Sequence, residues 1–530
     1  MPTTYRADVY SVESQSASYA PATQVSTTAV FAGPHQQGPV VPTLVTSWQQ
    51  FQAIFGGFGP GVPTYLSLAV YMHFLNGGGP CQILRVVDTS GGTIAVESTL
   101  ALKDSTAATT ITVNAANPGV WGNSIYVAVL APSDGIATHF NLAVFFGGTT
   151  AANNKETWVN LAMSQSDPNG RYFAALLNNP NTGSAYISVV DVEGTTTVPG
   201  NVPVALAATV LATGVDGTAA TDAQVLAALP LLNNIFGPLV LNLPGNSDAS
   251  AIAGAESYAQ TRGIPEDTFV VIDPPVGTQA TSALAVTAIT GCVAAGQAPT
   301  GSYFLQGTGS TDCAAVYWPW LLINDPASNI SGAVRLVPPG GAVVGMITKT
   351  DRVAGCWKSP AGVRVGALQG VVGLQYNPTN GDLDNLNFNN VNAIKPVQGS
   401  GLVVFGGRTL SPLTQSRYVN VRRLMSYIEC TVQQSLQAAL FEGNDAVLWA
   451  ATAVVVDTFL AGLFASGAFA GGTAATAYFV TCDSTVNTPA TVAAGQLICV
   501  VGVAPITPAE FIILQISQWL NGTTTVSVSS

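Results

Sequence analysis

Within its first half this chain changes texture, and that change limits the folds open to it. Residues 27–33 (TTAVFAG) read as a short buried strand entering a Gly/Pro turn. Residues 47–55 read as a short helix, with Ser47 as N-cap and Gly56-Gly57 as its stop. Residues 65–75 (YLSLAVYMHFL) form a strongly apolar helix closed by Gly77-Gly78-Gly79, and 81–87 (CQILRVV) a buried strand. From about 91 to 209 Thr, Val, Asn and Gly dominate, strands are short and turn signals recur. The clearest pieces are 116–129 (ANPGVWGNSIYVAV) and 186–192 (YISVVDV), with a helix expected near 158–164. The first texture then resumes. Residues 239–243 and 269–272 are parallel-type strands, each followed by helix-compatible sequence at 249–260 and 281–295. A further buried strand is expected at 314–323 (AAVYWPWLLI), where Pro319 marks an edge or bend. An α/β middle domain, residues 23–90 and 210–355, is thus split by a β-rich insertion, residues 91–209.

The last third reads as an α+β core domain, residues 356–520. Residues 417–440 begin as strand or loop and become a long helix, 446–469 form a second, and 478–482 and 497–503 are strands. At 530 residues the chain is long enough for about two to four domains, and no short repeat marks it as a solenoid. Both ends are polar and β-prone: 5–14 (YRADVYSVES) and 523–530 (TTTVSVSS) lie outside any obvious core. They are expected to be extended strand-like arms, 1–22 and 521–530, without partners in their own chain. Adding a strand to a neighbour's sheet edge satisfies backbone groups that otherwise need water. The arm contacts are expected at Tyr5, Val9, Tyr10 and Val12, and at Thr523, Thr525, Val526 and Val528.

Charge is sparse. Hydrophobic residues make up 48% and charged residues 8%, against roughly 25% charged in ordinary soluble domains. Such a chain either crosses a membrane or buries much of its surface against other subunits. Residues 446–470 (AVLWAATAVVVDTFLAGLFASGAFA) are long enough to span a bilayer. Against a span stand Asp457 near its middle, the Gly471-Gly472 exit and the lack of flanking basic clusters. A buried helix of a soluble domain is the expectation, and a membrane-anchored protein the alternative. The net charge of −12 argues against a nucleic-acid binder, Arg422-Arg423 being the largest basic cluster. The N-terminus, MPTTYRADVY, lacks a signal peptide's apolar core, so folding in the cytoplasm is the default. Seven cysteines (Cys81, Cys292, Cys313, Cys356, Cys430, Cys482 and Cys499) include no CxxC pair. They read as buried small hydrophobes, or as thiols that oxidise outside the cell, the odd count then favouring an inter-subunit bridge or a free thiol.

Chemistry-bearing motifs are missing. His35, His73 and His139 share no ligand-like spacing, so neither a metal nor another cofactor is expected. Residues 338–345 (PPGGAVVG) have a Gly-x4-Gly spacing with no Lys-Ser/Thr after it, and read as a loop. Asp273, after the strand FVVI, and Asp216 in GVDG read as structural turns rather than catalytic carboxylates. Arg422 and Arg423 are candidates for facing an acidic partner or another subunit. Nothing assembles a nucleophile, base and oxyanion donor, and an enzyme is not expected.

Taken in order, several segments resemble the tail sheath proteins of contractile phages and related contractile injection systems. They include 31–39 (FAGPHQQGP), the run from Leu44 to Gly57, 74–86 (FLNGGGPCQILRV), 117–127 (NPGVWGNSIYV), 214–217, 317–325 (YWPWLLIND) and 337–362 (VPPGGAVVGMITKTDRVAGCWKSPAG). The most specific are 392–394, 405–410 (FGGRTL), 418–424 (YVNVRRL), 482–489 (CDSTVNTP) and 503–512 (VAPITPAEFI). The chain departs from that family in its low charge, few lysines and Ser359.

The resemblance implies a structural subunit of a virion tail or similar extracellular particle, assembled in the host cytoplasm. Such subunits stack as rings, usually hexameric, into a helical sheath around an inner tail tube, with baseplate and tail terminator proteins at its ends. Arms of neighbours complete a sheet on the C-terminal domain of a third subunit. Contraction, a rigid-body switch between two packings, drives the tube through the host envelope to deliver a genome or effector, with no nucleotide, membrane insertion or direct nucleic-acid contact. It further implies a tube-facing C-terminal domain, an outward-facing insertion, and Arg422 and Arg423 as tube or inter-subunit contacts.

Overall fold

The computed structural model describes residues 26–58, 65–89, 93–192, 201–262, 267–274, 312–411, 413–510, 517–520 and 523–526. Strand β1 (Thr28–Pro34) buries Ala29, Val30, Phe31 and Ala32 on both of its faces, as a strand inside a covered parallel sheet must. After the short β2 (Thr43–Val45), Ser47 accepts from the Gln50 amide (3.2 Å) and opens α1 (Trp48–Phe55). Gly56, at φ 79°, ends it in a conformation that favours glycine. Helix α2 (Tyr65–Leu75) is apolar on nearly every side, and β3 (Cys81–Val86) follows it.

The chain then makes a self-contained unit of antiparallel strands: β4 (Thr99–Lys103), β5 (Thr109–Ala115), β6 (Ile125–Leu130), β7 (His139–Phe146), β8 (Asn154–Ala162), a short helix α3 (Phe173–Leu177), β9 (Ile187–Asp191) and β10 (Leu206–Val210). Sheets β4-β5-β9 and β10-β6-β7-β8 share one core, which includes Ile111, Val113, Val127, Phe140, Leu142 and Leu161. The helix expected near 158–164 is not there; those residues belong largely to β8. The reason is a bulge. Leu142 pairs with Trp158 but Phe140 with Leu161, so three steps on one strand oppose two on the other, with Asn160 at φ 52°. That bulge puts Trp158 and Leu161 in one core at a spacing of three, which imitates a helix.

The larger unit resumes with α4 (Asp222–Ala228), capped by the Thr221/Gln224 box, then β11 (Leu239–Asn242), α5 (Ala249–Thr261), β12 (Thr268–Ile272) and β13 (Ala314–Trp318). Beyond lie β14 (Leu321–Asn324), β15 (Val334–Val337), α6 (Gly340–Ala354), β16 (Val371–Leu374), α7 (Asn380–Phe388), β17 (Asn392–Val397) and β18 (Gly401–Val404). The sheet order is β18-β17-β13-β12-β11-β1-β3-β2. Neighbours from β17 to β3 run parallel, while β18 and β2 are antiparallel edges. One face packs against α1, α2 and α6 through Phe31, Phe51, Met72 and Val343; the other packs against α4, α5 and α7 through Val30, Val225, Ala255 and Leu386. This is a doubly wound α/β layer, part of a mixed α/β multidomain fold.

Three expectations change here. Residues 338–345 are not a loop but the entry into α6, whose Gly341 and Gly345 let it lie against α2. A Cβ at Gly341 would sit 2.4 Å from the Ala69 backbone, and one at Gly345 2.4 Å from the His73 carbonyl. Residues 314–323 are two strands, not one. Past Pro319 the chain leaves the centre of the large sheet, and β14 joins β15 and β16 in a separate three-stranded sheet. The boundary expected at 356 falls inside the α/β unit, because β16 pairs with β14, and β17 lies beside β13. Residues 281–295 lie outside the described residues.

Candidate assembly site on the C-terminal domain

Two helices build the last domain. Helix α8 (Val419–Ser435) supplies Leu424, Tyr427 and Ile428 to a core completed by Val456, Leu460 and Leu463 of α9 (Ala446–Ala465). Asp445 caps α9, accepting from the Val447 and Leu448 amides at 2.9 and 3.0 Å. Against this core lies a two-stranded ladder, β19 (Tyr478–Thr481) and β20 (Val500–Val503), paired antiparallel from Tyr478↔Val503 to Thr481↔Val500. Tyr478, Val480, Val501 and Val503 pack on the helices. Phe479, 57% exposed, reaches across to Gly502, where a Cβ would meet its ring at 2.1 Å. Among the described residues, neither strand has a neighbour on its outer side. An apolar ladder with both edges open is a template for further strands.

The chain leaves this ladder along a held path. The Ala504 amide donates to Ala477 (2.8 Å) and the Ile506 amide to Ala468 (3.1 Å), while Asn420 Nδ2 donates to the carbonyls of Ile506 (3.1 Å) and Trp357 (2.9 Å). Glu510 then meets Arg408 in a bidentate pair: Nε donates to Oε1 at 2.9 Å, and Nη2 donates to Oε2. Arg408 also donates from Nη1 to the Asn387 carbonyl, 2.8 Å. Beyond this anchor come β21 (Ser517–Leu520) and β22 (Thr523–Val526), paired with each other. The intervening sequence is Asn521-Gly522, a dipeptide suited to two-residue hairpins.

The comparisons fall on this domain. Residues 413–518 match the phage tail sheath C-terminal domain. The chain is similar to the tail sheath protein of Enterobacteria phage T4, 27% identical over 181 residues, which are 34% of this chain and 27% of that one. The tail sheath protein of Vibrio phage KVP40 is 26% identical over 181 residues, 34% of this chain and 26% of that one. The matches thus span about a quarter of these relatives' length. Among solved structures, the contracted helical sheath of the anti-feeding prophage (AFP) aligns over 98% of this chain and 100% of that one, with TM-score 0.55 and 21% identity. The sheath tail protein Lin1278 of Listeria innocua covers 92% of this chain and 97% of its own, with TM-score 0.57 and 12% identity. These likenesses extend the sheath fold across nearly the whole chain.

Within this C-terminal domain, several expected site residues are placed differently. Thr523, Thr525 and Val526 are in a strand, but not one without a partner: they oppose Leu520, Gln518 and Ser517 in the β21–β22 hairpin. Val528, and Tyr5, Val9, Tyr10 and Val12, lie outside the described residues. Arg422 and Arg423 do not present a free basic surface. Both are buried, Arg423 in a two-pronged pair with Asp351 of α6 (Nη1 to Oδ1, 2.8 Å), and Arg422 beside Glu429 (3.2 Å), Ser426 (3.3 Å) and Asp312 (3.9 Å). They join the domain to the α/β unit instead. Helix α9 is long and apolar enough to cross a membrane, yet its inner face belongs to the core of the C-terminal domain. Only 33% of its most apolar window is buried, so the expected buried helix is open on one side. Its outer face shows Val447, Val454 and Asp457, and Phe441, at φ 68°, stands fully exposed just ahead of it. A membrane anchor is not favoured.

Two sites that sequence reasoning passed over carry the joints of the molecule. Arg85 of β3 is 1% exposed and donates to four backbone carbonyls: His35 (2.7 Å), Gly38 (2.8 Å), Gln36 and Pro118 (both 2.9 Å). It thereby clamps the 35–38 turn and the root of the insertion to the large sheet. Asp216 supports the same root by accepting from the Val120 amide at 2.8 Å. Arg408, described above, is the other. Each is a lone charge inside an otherwise apolar or small-residue motif, a signal the sequence does contain.

Asp273 sits at the end of β12 with every contact structural. Its oxygens accept from the amides of Gly340 (2.7 Å) and Gly245 (3.0 Å) and from Asn242 Nδ2 (3.2 Å). It pins the N-terminus of α6 to the sheet, and burial pushes its carboxyl up to about 6. Among the described residues, no cluster of His, Cys, Asp or Glu could hold a metal ion.

Proposed function

We propose that this protein is the structural subunit of a contractile sheath, polymerised around an inner tube and contracting to drive that tube through a cell envelope. The observation that carries the reading is the β19–β20 ladder, open on both edges, inside a domain matching the phage tail sheath C-terminal domain. Strands supplied by neighbouring copies, the N-terminal segment around Tyr5–Val12 and the C-terminal hairpin, extend this ladder into a continuous sheet and knit subunits into a mesh. The hairpin form of the C-terminal arm suits a unit that docks as one piece. Its partners are further copies in stacked, hexameric rings, the tube, and the baseplate and terminator proteins at the ends. The open apolar face of α9 with Phe441 faces the tube, and the insertion, tied on at Arg85, points outward. The particle is a virion tail or an extracellular injection device, assembled in the host cytoplasm. Contraction releases energy stored in the assembly and uses neither cofactor nor catalysis.

Negative-stain electron microscopy of the purified full-length protein tests this. Hollow striated tubes or stacked rings, alone or once the cognate tube is added, are the expected result. Uniform small particles under both conditions overturn it.

A further inference from the structure

The closed end of the β19–β20 ladder holds two thiols that nothing in the assembly reading uses. The last rung pairs Thr481 with Val500, so the next positions in register, Cys482 and Cys499, face one another. The two thiols are free, and each lies close enough to influence the other's ionisation. Facing residues in an antiparallel pair have Cα atoms about 4.5–5.5 Å apart, inside the range of roughly 4.4–6.8 Å that a disulfide needs. The chain between them is held shut independently. Buried Asn487 donates from Nδ2 to the Ile498 carbonyl (2.9 Å) and accepts the Ile498 amide on Oδ1 (2.7 Å), as a further rung would. Its Nδ2 also lies 3.8 Å from Cys482 Sγ. Cys499 is partly exposed while Cys482 is buried, which makes Cys499 the more approachable of the two.

We propose that Cys482 and Cys499 are a redox-sensitive pair that closes to a disulfide across the end of the ladder when the protein leaves a reducing medium. The oxidant is a small-molecule disulfide such as oxidised glutathione. The Cys499 thiolate attacks one of its sulfurs and expels one glutathione thiolate. Cys482, losing its proton to solvent, then attacks the Cys499 sulfur of the mixed disulfide and expels the second. Two protein thiols and one glutathione disulfide become one protein disulfide and two glutathione thiols. Burial pushes the Cys499 thiol up to about 12 and raises that of Cys482 as well, so thiolate is scarce at neutral pH and closure is slow. The inference stands on the ladder's own geometry, whether or not a neighbour's strand docks there.

The test incubates the full-length protein with reduced or oxidised glutathione, quenches in denaturant with iodoacetamide, and weighs the intact chain and its peptides. After oxidation the number of alkylated thiols is expected to fall by two from seven, with a peptide linked through Cys482 and Cys499. C499S is expected to keep every remaining thiol alkylatable under the same treatment, whereas C482S, lacking the resolving thiol, is expected to retain a glutathione adduct on Cys499. In the wild-type chain, all seven thiols retained, a glutathione adduct that persists on Cys499, or a link to any other cysteine or subunit would overturn the proposal.

Discussion

Replacing Arg85 by methionine keeps the length and apolar stem of the side chain and removes all five of its N–H donors. Four carbonyls on two segments, 35–38 and the insertion root at Pro118, then lose their donor in a site that is 1% exposed. Hydrogen bonds from a charged donor contribute about 1.5–3 kcal/mol each, but the buried guanidinium also carries a desolvation penalty of several kcal/mol. Although burial lowers the Arg85 pKa to about 10, the group is still charged at neutral pH, so both terms apply. The net loss is about 3–5 kcal/mol, since four carbonyls left without a donor cost about 1–3 kcal/mol each and the relieved desolvation of the guanidinium offsets part of that sum. That corresponds to a rise in local opening of roughly 10²- to 4 × 10³-fold. Hydrogen exchange read by mass spectrometry locates it. The Gly119 and Val120 amides, held by the Val96 carbonyl (3.1 Å) and by Asp216 (2.8 Å), flank the joint. They are expected to exchange faster by that factor, while amides of the β6–β7 ladder keep their protection. Arg85→Lys, retaining charge but not the fork, falls between the two. Unchanged exchange at Gly119 and Val120 in a folded R85M chain would refute the clamp, and uniform loss across the insertion would show that Arg85 stabilises the whole unit rather than its joint.

Three further outcomes are expected. Asp273 takes up its proton at about 6 in the folded chain, against 3.8 for the ordinary group, so its contribution is largest below pH 4 and declines as pH rises to 6. The stability difference between wild type and D273N therefore falls by about 3 kcal/mol across that window; a flat difference in urea unfolding would exclude it. Arg423→Met leaves Asp351 charged and unpaired and costs about 3–5 kcal/mol, whereas R423M/D351N recovers at least half in the same assay; additive losses would show that the two do not act as a pair. Deleting residues 517–530 is expected to leave a monomer with the wild-type circular dichroism spectrum that forms no tubes or rings. Normal tubes from that truncation would remove the hairpin from the assembly mechanism.

Local chemistry was legible where short-range rules decide. Ser47 and Gly56 bracket α1, and the apolar runs at 239–241 and 269–272 lie in strands covered on both faces. Failures occur where a distant partner decides. The Gly-rich entry to α6 looks like a loop until Ala69 and His73 are seen lying against it. The bulge at Asn160 turns a strand's period of two into a local period of three. Whether residues beyond 356 belong to the middle unit depends on β17 finding β13, which no local pattern encodes. Arg422-Arg423 reads as a surface cluster because Asp351 lies far away in sequence. The ladder at β19–β20 was visible as two strands, but its two open edges are a property of the fold alone.

The anchor at Arg408 has a mechanical consequence. Traction applied to the C-terminal hairpin meets, at Glu510, a two-pronged link whose bonds must break together. Arg408 passes the strain to the Asn387 carbonyl and, through its own amide, to Asn392 Oδ1 (2.7 Å). Asn392 in turn donates to the Val316 carbonyl (3.1 Å), and Val316 lies in β13, in the interior of the eight-stranded sheet. Tension on the tail of the chain is thereby delivered to the interior of its large sheet, bypassing the open-faced helix α9, so in the proposed assembly a tug from a neighbour moves the subunit before it deforms it.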